Sequence, residues 1–203
     1  MGLEGEGASA YFGAIRTLLP SWAGFDGRNR RPPRDPFNAC LSYGYAVLEG
    51  TILTAIGAAG LEPFAGFLHS DRSGKPSLTL DLIEEFRQPV VDRVALRLFR
   101  LRQLREEHFD QQPGRVLFTE KGKQVFVEEI YREIRHGAAI STRPSRRESK
   151  SGAGVPEPPV PPNFGTDIVN PGSFYRAAIG QARKIARFVL GQDATYEPYL
   201  WKW

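Results

Sequence analysis

The chain has 203 residues, 41% apolar and 25% charged, which is the balance of a globular protein with one ordinary core or two small ones and excludes a disordered chain. No run reaches the ~20 consecutive apolar residues that a bilayer span needs. A net charge of +4 leans toward an anionic partner, while the single cysteine, Cys40, excludes an internal disulfide, a Cys-rich zinc site and an iron–sulfur cluster held by this chain.

The first predicted helix runs from about Gly5 to Leu19, with Ala8, Tyr11, Phe12, Ile15 and Leu18 at helical spacing, and Pro20 ends it. An Arg- and Pro-rich loop leads to Asp35-Pro36, an N-cap followed by a proline at the first helical position. The next helix, about Pro36 to Ala59, is apolar on nearly every side and is expected in the middle of a bundle, with Gly60 as its stop. Leu61 to Gly74 reads as a loop carrying His69, and Pro76 opens a helix over Ser77 to Phe86. After Pro89 the pattern resumes as a longer helix to about Glu107, and Phe109 to Phe118 reads as irregular. A further helix follows Thr119-Glu120 and reaches about Arg135. From 137 to 170 Ser, Arg, Pro and Gly dominate, a flexible segment unable to bury a core. Order returns at Pro171 with a helix to about Leu190, and the aromatic tail Tyr196, Tyr199, Trp201 and Trp203 is expected to pack back. No strand pattern stands out. The fold reads as all-α: a multi-helix bundle over 1–136, a flexible segment over 137–170 and a terminal helix and tail over 171–203.

Two acidic residues, Asp81 and Glu84, stand three apart on a predicted helix and share one face. Paired carboxylates repel unless a proton or cation lies between them, and magnesium or manganese fills that role at phosphate-processing sites. Such pairs also occur as plain solvated surface, although Leu78, Leu80, Leu82 and Ile83 are too apolar for a fully wet helix. Glu85 points about a quarter turn away. His69 fits either a hydrogen-bonded structural histidine or a third partner to the two carboxylates. His108 and His136 have no acidic residues at useful spacing. In the first helix, Glu4 and Glu6 both fit favourable placement at a helix N-terminus, and nothing local chooses between them. Arg93, Arg97 and Arg100 recur as a basic stripe; with Arg72 and Lys75 they are candidates for phosphate contacts or simply a solvated face.

Four stretches in order carry a resemblance. Glu4-Gly5 with Ala8 and Tyr11-Phe12, then Asp35-Pro36-Phe37-Asn38-Ala39 through Tyr45, resemble motifs of the CRISPR-associated spacer integrases (Cas one). So do Gly60-Leu61-Glu62-Pro63 through His69 with Ser77-Leu78 and Asp81 to Arg87, and finally Tyr175-Arg176 with Gln181-Ala182-Arg183. The resemblance implies metal ligation by Glu4, His69 and Glu84, with Asp81 a supporting acid one turn earlier and Asn38 structural or pocket-lining. It also implies a β-rich N-terminal domain that pairs two subunits in the family and that this chain, starting almost on Glu4, is expected to lack; dimerisation is left open.

The function implied is a metal-dependent DNA endonuclease and integrase that joins DNA fragments into a CRISPR array by transesterification. Magnesium or manganese, DNA and a small non-catalytic partner (Cas two) come with it. The alternatives are a non-catalytic helical DNA-binding or assembly module and a metallonuclease that cuts without joining. With no secretory or membrane signal, the expected location is the cytoplasm.

Overall fold

The computed structural model describes residues 2–68, 74–137 and 173–200, with Leu3 and Glu4 given by their backbone alone. Its elements in chain order are α1 (Leu3–Leu18), α2 (Pro36–Ala58), α3 (Ser77–Phe86), α4 (Arg93–Arg100), β1 (Phe109–Gln112), β2 (Arg115–Phe118), α5 (Glu120–His136) and α6 (Phe174–Val189). They form two compact units, Met1–Val47 with Arg87–Tyr131 and Leu48–Phe86 with Arg132–Trp203. From residue 138 onward the expected flexible stretch lies outside the described residues, as do Trp201 and Trp203 of the expected tail.

The first unit is built on aromatic rings. Trp22 stacks on Phe99 at 5.2 Å, and Phe37 meets Phe99 edge-on at 5.6 Å. Phe109 and Phe118 lie 5.0 Å apart, and Phe118 stacks on Phe126 of α5 at 5.3 Å. Such pairs add ~0.5–1.5 kcal/mol each beyond the area they bury. α2 starts where the sequence says it should: the Asp35 carboxylate accepts from the Asn38 backbone N–H at 2.8 Å, and Pro36 needs no partner for a donor it lacks.

Three corrections concern local chemistry. The stretch read as irregular is an antiparallel hairpin, β1 with β2, in register Phe109↔Phe118 and Gln112↔Arg115. Pro113-Gly114 closes it, and Gly114 takes the left-handed backbone (φ 78°) that a proline-led tight turn demands of its third residue. The fold is therefore helical with a small sheet. Secondly, Pro89 does not break the helical path. α3 runs into a wide π-helical turn over Arg87–Asp92 and on into α4, because widening the turn accommodates a ring without an N–H. Thirdly, α4 stops at Arg100, well before Glu107. Arg102 sits at φ 55° while Gln103 N–H donates to the Leu98 carbonyl and Arg102 N–H to that of Phe99, a Schellman stop made without glycine. No glycine marked the end, so the sequence did not announce it.

In the second unit, Gly60 (φ 73°) ends α2, with Leu61 N–H returning to the Ile56 carbonyl at 3.2 Å. α3 buries Leu78, Leu82, Ile83 and Phe86, and α6 buries Phe174, Ala178, Ala182 and Ile185. The Ser173 hydroxyl caps α6 by accepting from Arg176 N–H at 3.3 Å. Tyr199 packs its ring on Phe86 at 5.0 Å. α2 is not buried all round: Ala46, Gly50, Leu53 and Gly57 form an exposed stripe. At 23 residues α2 is also long and apolar enough, by length and composition, to cross a membrane, a test that buried core helices pass equally. Its Phe37, Leu41, Leu48, Ile52 and Ile56 are instead spent on the protein core.

A left-handed arginine costs ~1–2 kcal/mol, part of which glycine returns through its larger unfolded-state entropy. Arg102→Gly should therefore raise stability by about 0.5–1 kcal/mol in chemical denaturation. An unchanged or lowered midpoint would show that the arginine is not strained there.

Candidate metal and DNA-processing site

The α3 acids play different parts. Asp81 is half-buried, and its Oδ2 accepts from Phe67 N–H at 2.5 Å and from Leu68 N–H at 3.0 Å. A carboxylate taking two backbone donors fastens the loop that leads to His69. The fastening needs Gly66: a Cβ there would stand 2.5 Å from the Ser77 Cβ and 3.0 Å from Asp81 Oδ2. Glu84, one turn on, is exposed. Glu85 holds the C-terminal segment, accepting from Gln181 Nε2 at 2.9 Å, from Tyr199 N–H at 2.8 Å and from the Tyr196 hydroxyl. The sequence gives no sign of this role, because the partners lie 96 to 114 residues away.

Glu4 occupies the first turn of α1, and its side chain is not described. His69 and Arg72 lie outside the described residues. Among the described side chains no three His, Cys, Asp or Glu residues come together, and two of the three expected ligands are not among those side chains. The expected basic stripe on α4 is partly engaged by the protein itself. Arg93 Nε donates to the Pro89 carbonyl at 3.1 Å, and Arg97 pairs with buried Glu129 at 3.0 Å, while Arg100 and Lys75 are exposed.

The sequence reading passed over a groove beside α1. Gly5, Ala8, Ser9 and Gly13 line it on the α1 side, with Arg28, Arg30 and Arg34 and the carboxylates Asp26 and Asp35 from the following loop, in a space of about 920 Å³. Asn38 is a buried hub that ties this loop down. Its side-chain oxygen accepts from Arg28 at 2.8 Å and from Asn29 N–H at 3.1 Å, and its amide donates to the Gly27 carbonyl at 2.8 Å.

It also passed over Asp92, which is 3% exposed and closes the π turn. Its two oxygens accept from the phenols of Tyr11 (2.9 Å) and Tyr45 (2.6 Å). The guanidiniums of Arg28 and Arg87 lie 5.4 Å and 4.9 Å from the centre of the Tyr45 ring. Burial raises the carboxyl from its ordinary 3.8 to about 6, against the lowering pull of both phenols and both arginines. Burial and the neighbouring carboxylate push both tyrosines well above the phenol range, so they remain donors.

With this geometry in hand, relatives are informative. Residues 1–132 match the family model described as "CRISPR associated protein Cas1". A Cas1 endonuclease from Rhodospirillum rubrum is 38% identical across 99% of this chain and 52% of its own length. One from Thermus thermophilus is 48% identical over 66% of this chain and 44% of its own, and one from Methanopyrus kandleri 41% identical over 83% and 51%. Among solved structures, a Cas1 protein from Thermotoga maritima superposes with a TM-score of 0.73 at 25% identity, covering 94% of this chain and 51% of that one. A casposase bound to integration product gives 0.73 at 22% identity, over 96% of this chain and 48% of that one. The helical fold is thus shared with these solved chains, over about half the length of each. The chain belongs to the Cas1 family and spans about half the length of the curated relatives it matches.

Asp92 makes stability fall with rising pH. Below pH 3.8 it is protonated folded and unfolded alike; between 3.8 and about 6 only the unfolded chain gives up the proton; above about 6 the full cost remains, ~3 kcal/mol. Asp92→Asn has no such titration. Its midpoint relative to wild type should improve from pH 4 to about pH 6 and then level off, and a flat difference across that window would contradict the raised carboxyl.

Proposed function

We propose that this chain is the strand-transfer part of a Cas1 integrase. A DNA 3′ hydroxyl attacks a phosphodiester at the repeat boundary of a CRISPR array, the new P–O bond forms, and the bond to the departing 3′ oxygen breaks. The observation that carries this reading is the ordered motif set of Glu4, Asp35-Pro36, the loop to His69 and Asp81/Glu84 within a matched family region. Its enzyme relatives are named endonucleases, and water in place of the hydroxyl gives cleavage from the same site.

Glu4, His69 and Glu84 would hold a divalent ion. Two carboxylates and an imidazole are a donor set suited to manganese or magnesium, and Glu84 is exposed on α3 while Asp81 is engaged with its loop. When bound, such an ion supplies charge neutralisation at an already anionic phosphate. The chain's own contribution is placement. Asp81 fixes the loop ahead of His69, and Arg28, Arg30 and Arg34 offer positive charge along the α1 groove. DNA and a Cas2 partner belong to this reading; a Cas6-RT-Cas1–Cas2 complex shares the fold at TM-score 0.72 and 22% identity, covering 98% of this chain and 19% of that one.

A manganese strand-transfer assay decides it. Wild type should join a 3′-hydroxyl fragment to a repeat substrate, and His69→Ala and Glu84→Ala should each lose at least about 100-fold. Joined products surviving both substitutions would remove the site, and cleavage without joining would make the chain a plain metallonuclease.

The groove has its own test. Each phosphate contact adds ~0.9 to the slope of log affinity against log salt. Arg30→Ala with Arg34→Ala should flatten that slope by about 1–2, more than Arg93→Ala with Arg97→Ala, whose side chains already bond Pro89 and Glu129. The reverse order would return the DNA contacts to α4.

A further inference from the structure

Among the described side chains, few hold α1. Residues 5–10 are exposed, Tyr11 and Phe12 are half-buried, and Ile15 is the buried anchor. Phe12 and Ile15 make non-directional contacts that allow a helix to rock. The Arg16–Asp26 pair at its far end is exposed, and such pairs add little. Tyr11 supplies the directional tie, its phenol donating at 2.9 Å to a carboxylate that simultaneously takes Tyr45 of α2 at 2.6 Å.

Glu4 and Tyr11 are seven residues apart, so they share a helical face two turns from one another. That separation is ~10 Å of helix, so a 10° tilt about Tyr11 carries Glu4 roughly 2 Å. Metal ligation tolerates a few tenths of an ångström. The tie also reaches the groove wall, since Arg28 lies over the Tyr45 ring.

Burial disfavours the ionised form of Asp92, and an apolar residue would avoid that cost only by leaving two phenols without an acceptor. What an apolar residue cannot do is accept from two phenols at once.

We infer that Asp92, acting through Tyr11, is a positioning residue for Glu4, setting the rotation and tilt of α1 on which ligand placement depends. This rests on the reading of Glu4 as a metal ligand.

The test is manganese titration of the intact chain by calorimetry, with thermal midpoints recorded alongside. Glu4→Gln should weaken binding strongly. Tyr11→Phe keeps the ring, removes only the hydroxyl and should weaken binding about 10–100-fold, the scale of lost supporting hydrogen bonds around metal ligands. Tyr11→Phe should add nothing once Glu4 is Gln, because its effect passes through Glu4. Ile15→Val, which loosens α1 without touching the tie, should leave affinity at the wild-type value. Wild-type affinity in Tyr11→Phe with binding lost in Glu4→Gln would overturn the positioning role and spare the ligand. Equal weakening by Ile15→Val would reduce the effect to general loosening and overturn it too. Unchanged binding in Glu4→Gln would overturn both readings together.

Discussion

A carboxylate removed from water must be answered by donors, and how this chain answers its inner acids decides which segments they hold in place. In the first unit Asp92 is answered by two phenols. In the second, Asp81 is answered by two backbone amides and Glu85 by an amide side chain, a phenol and a backbone N–H. Each answer ties down a different segment: α1, the loop ahead of His69, and the stretch up to Tyr199. Within α3, Asp81 and Glu85 thus hold different segments of the chain, and Glu84 between them is exposed on the helix. An acidic cluster that looks redundant in the sequence is a division of labour.

That division explains what the sequence could and could not disclose. The start of α2 is written in Asp35-Pro36 and its end in Gly60, since each signal is the chemistry of one or two neighbouring residues. The shared face of Asp81 and Glu84 follows from helical spacing alone. The hairpin was hidden because Asp110, Gln111 and Gln112 carry no strand character, and its real signal was the Pro113-Gly114 turn. The stop after α4 was hidden because an arginine does a glycine's work. Asp92 was hidden for a different reason: its partners stand 81 and 47 residues away, and no local pattern encodes a meeting over that distance.

The arginines teach the same lesson about charge. Spacing marks Arg93, Arg97 and Arg100 as a stripe, yet a buried glutamate on α5 takes Arg97 and a carbonyl takes Arg93. The irregular loop between α1 and α2 has no periodicity to notice, but the Asn38 hub fixes it and lines its arginines along a groove. A net charge of +4 says little by itself. Where the charges stand matters more, and this groove sets Arg28, Arg30 and Arg34 beside Asp26 and Asp35.

The groove and the Asp92 tie also depend on each other. An open floor beside α1 requires small residues, and Gly5, Gly7 and Gly13 have nothing within 4 Å of where a Cβ would sit, so no close contact demands them. Each glycine costs a helix ~1 kcal/mol relative to alanine. A helix kept thin enough to border a groove is thereby a weak helix, and its N-terminal turns, where Glu4 sits, are the first to fray. Apolar burial cannot compensate, because covering the floor would close the groove. A directional bond from the half-buried side remains, and Tyr11 with Asp92 provides it. The charge buried at Asp92 is thus the counterpart of the space left open beside Gly5 and Gly13.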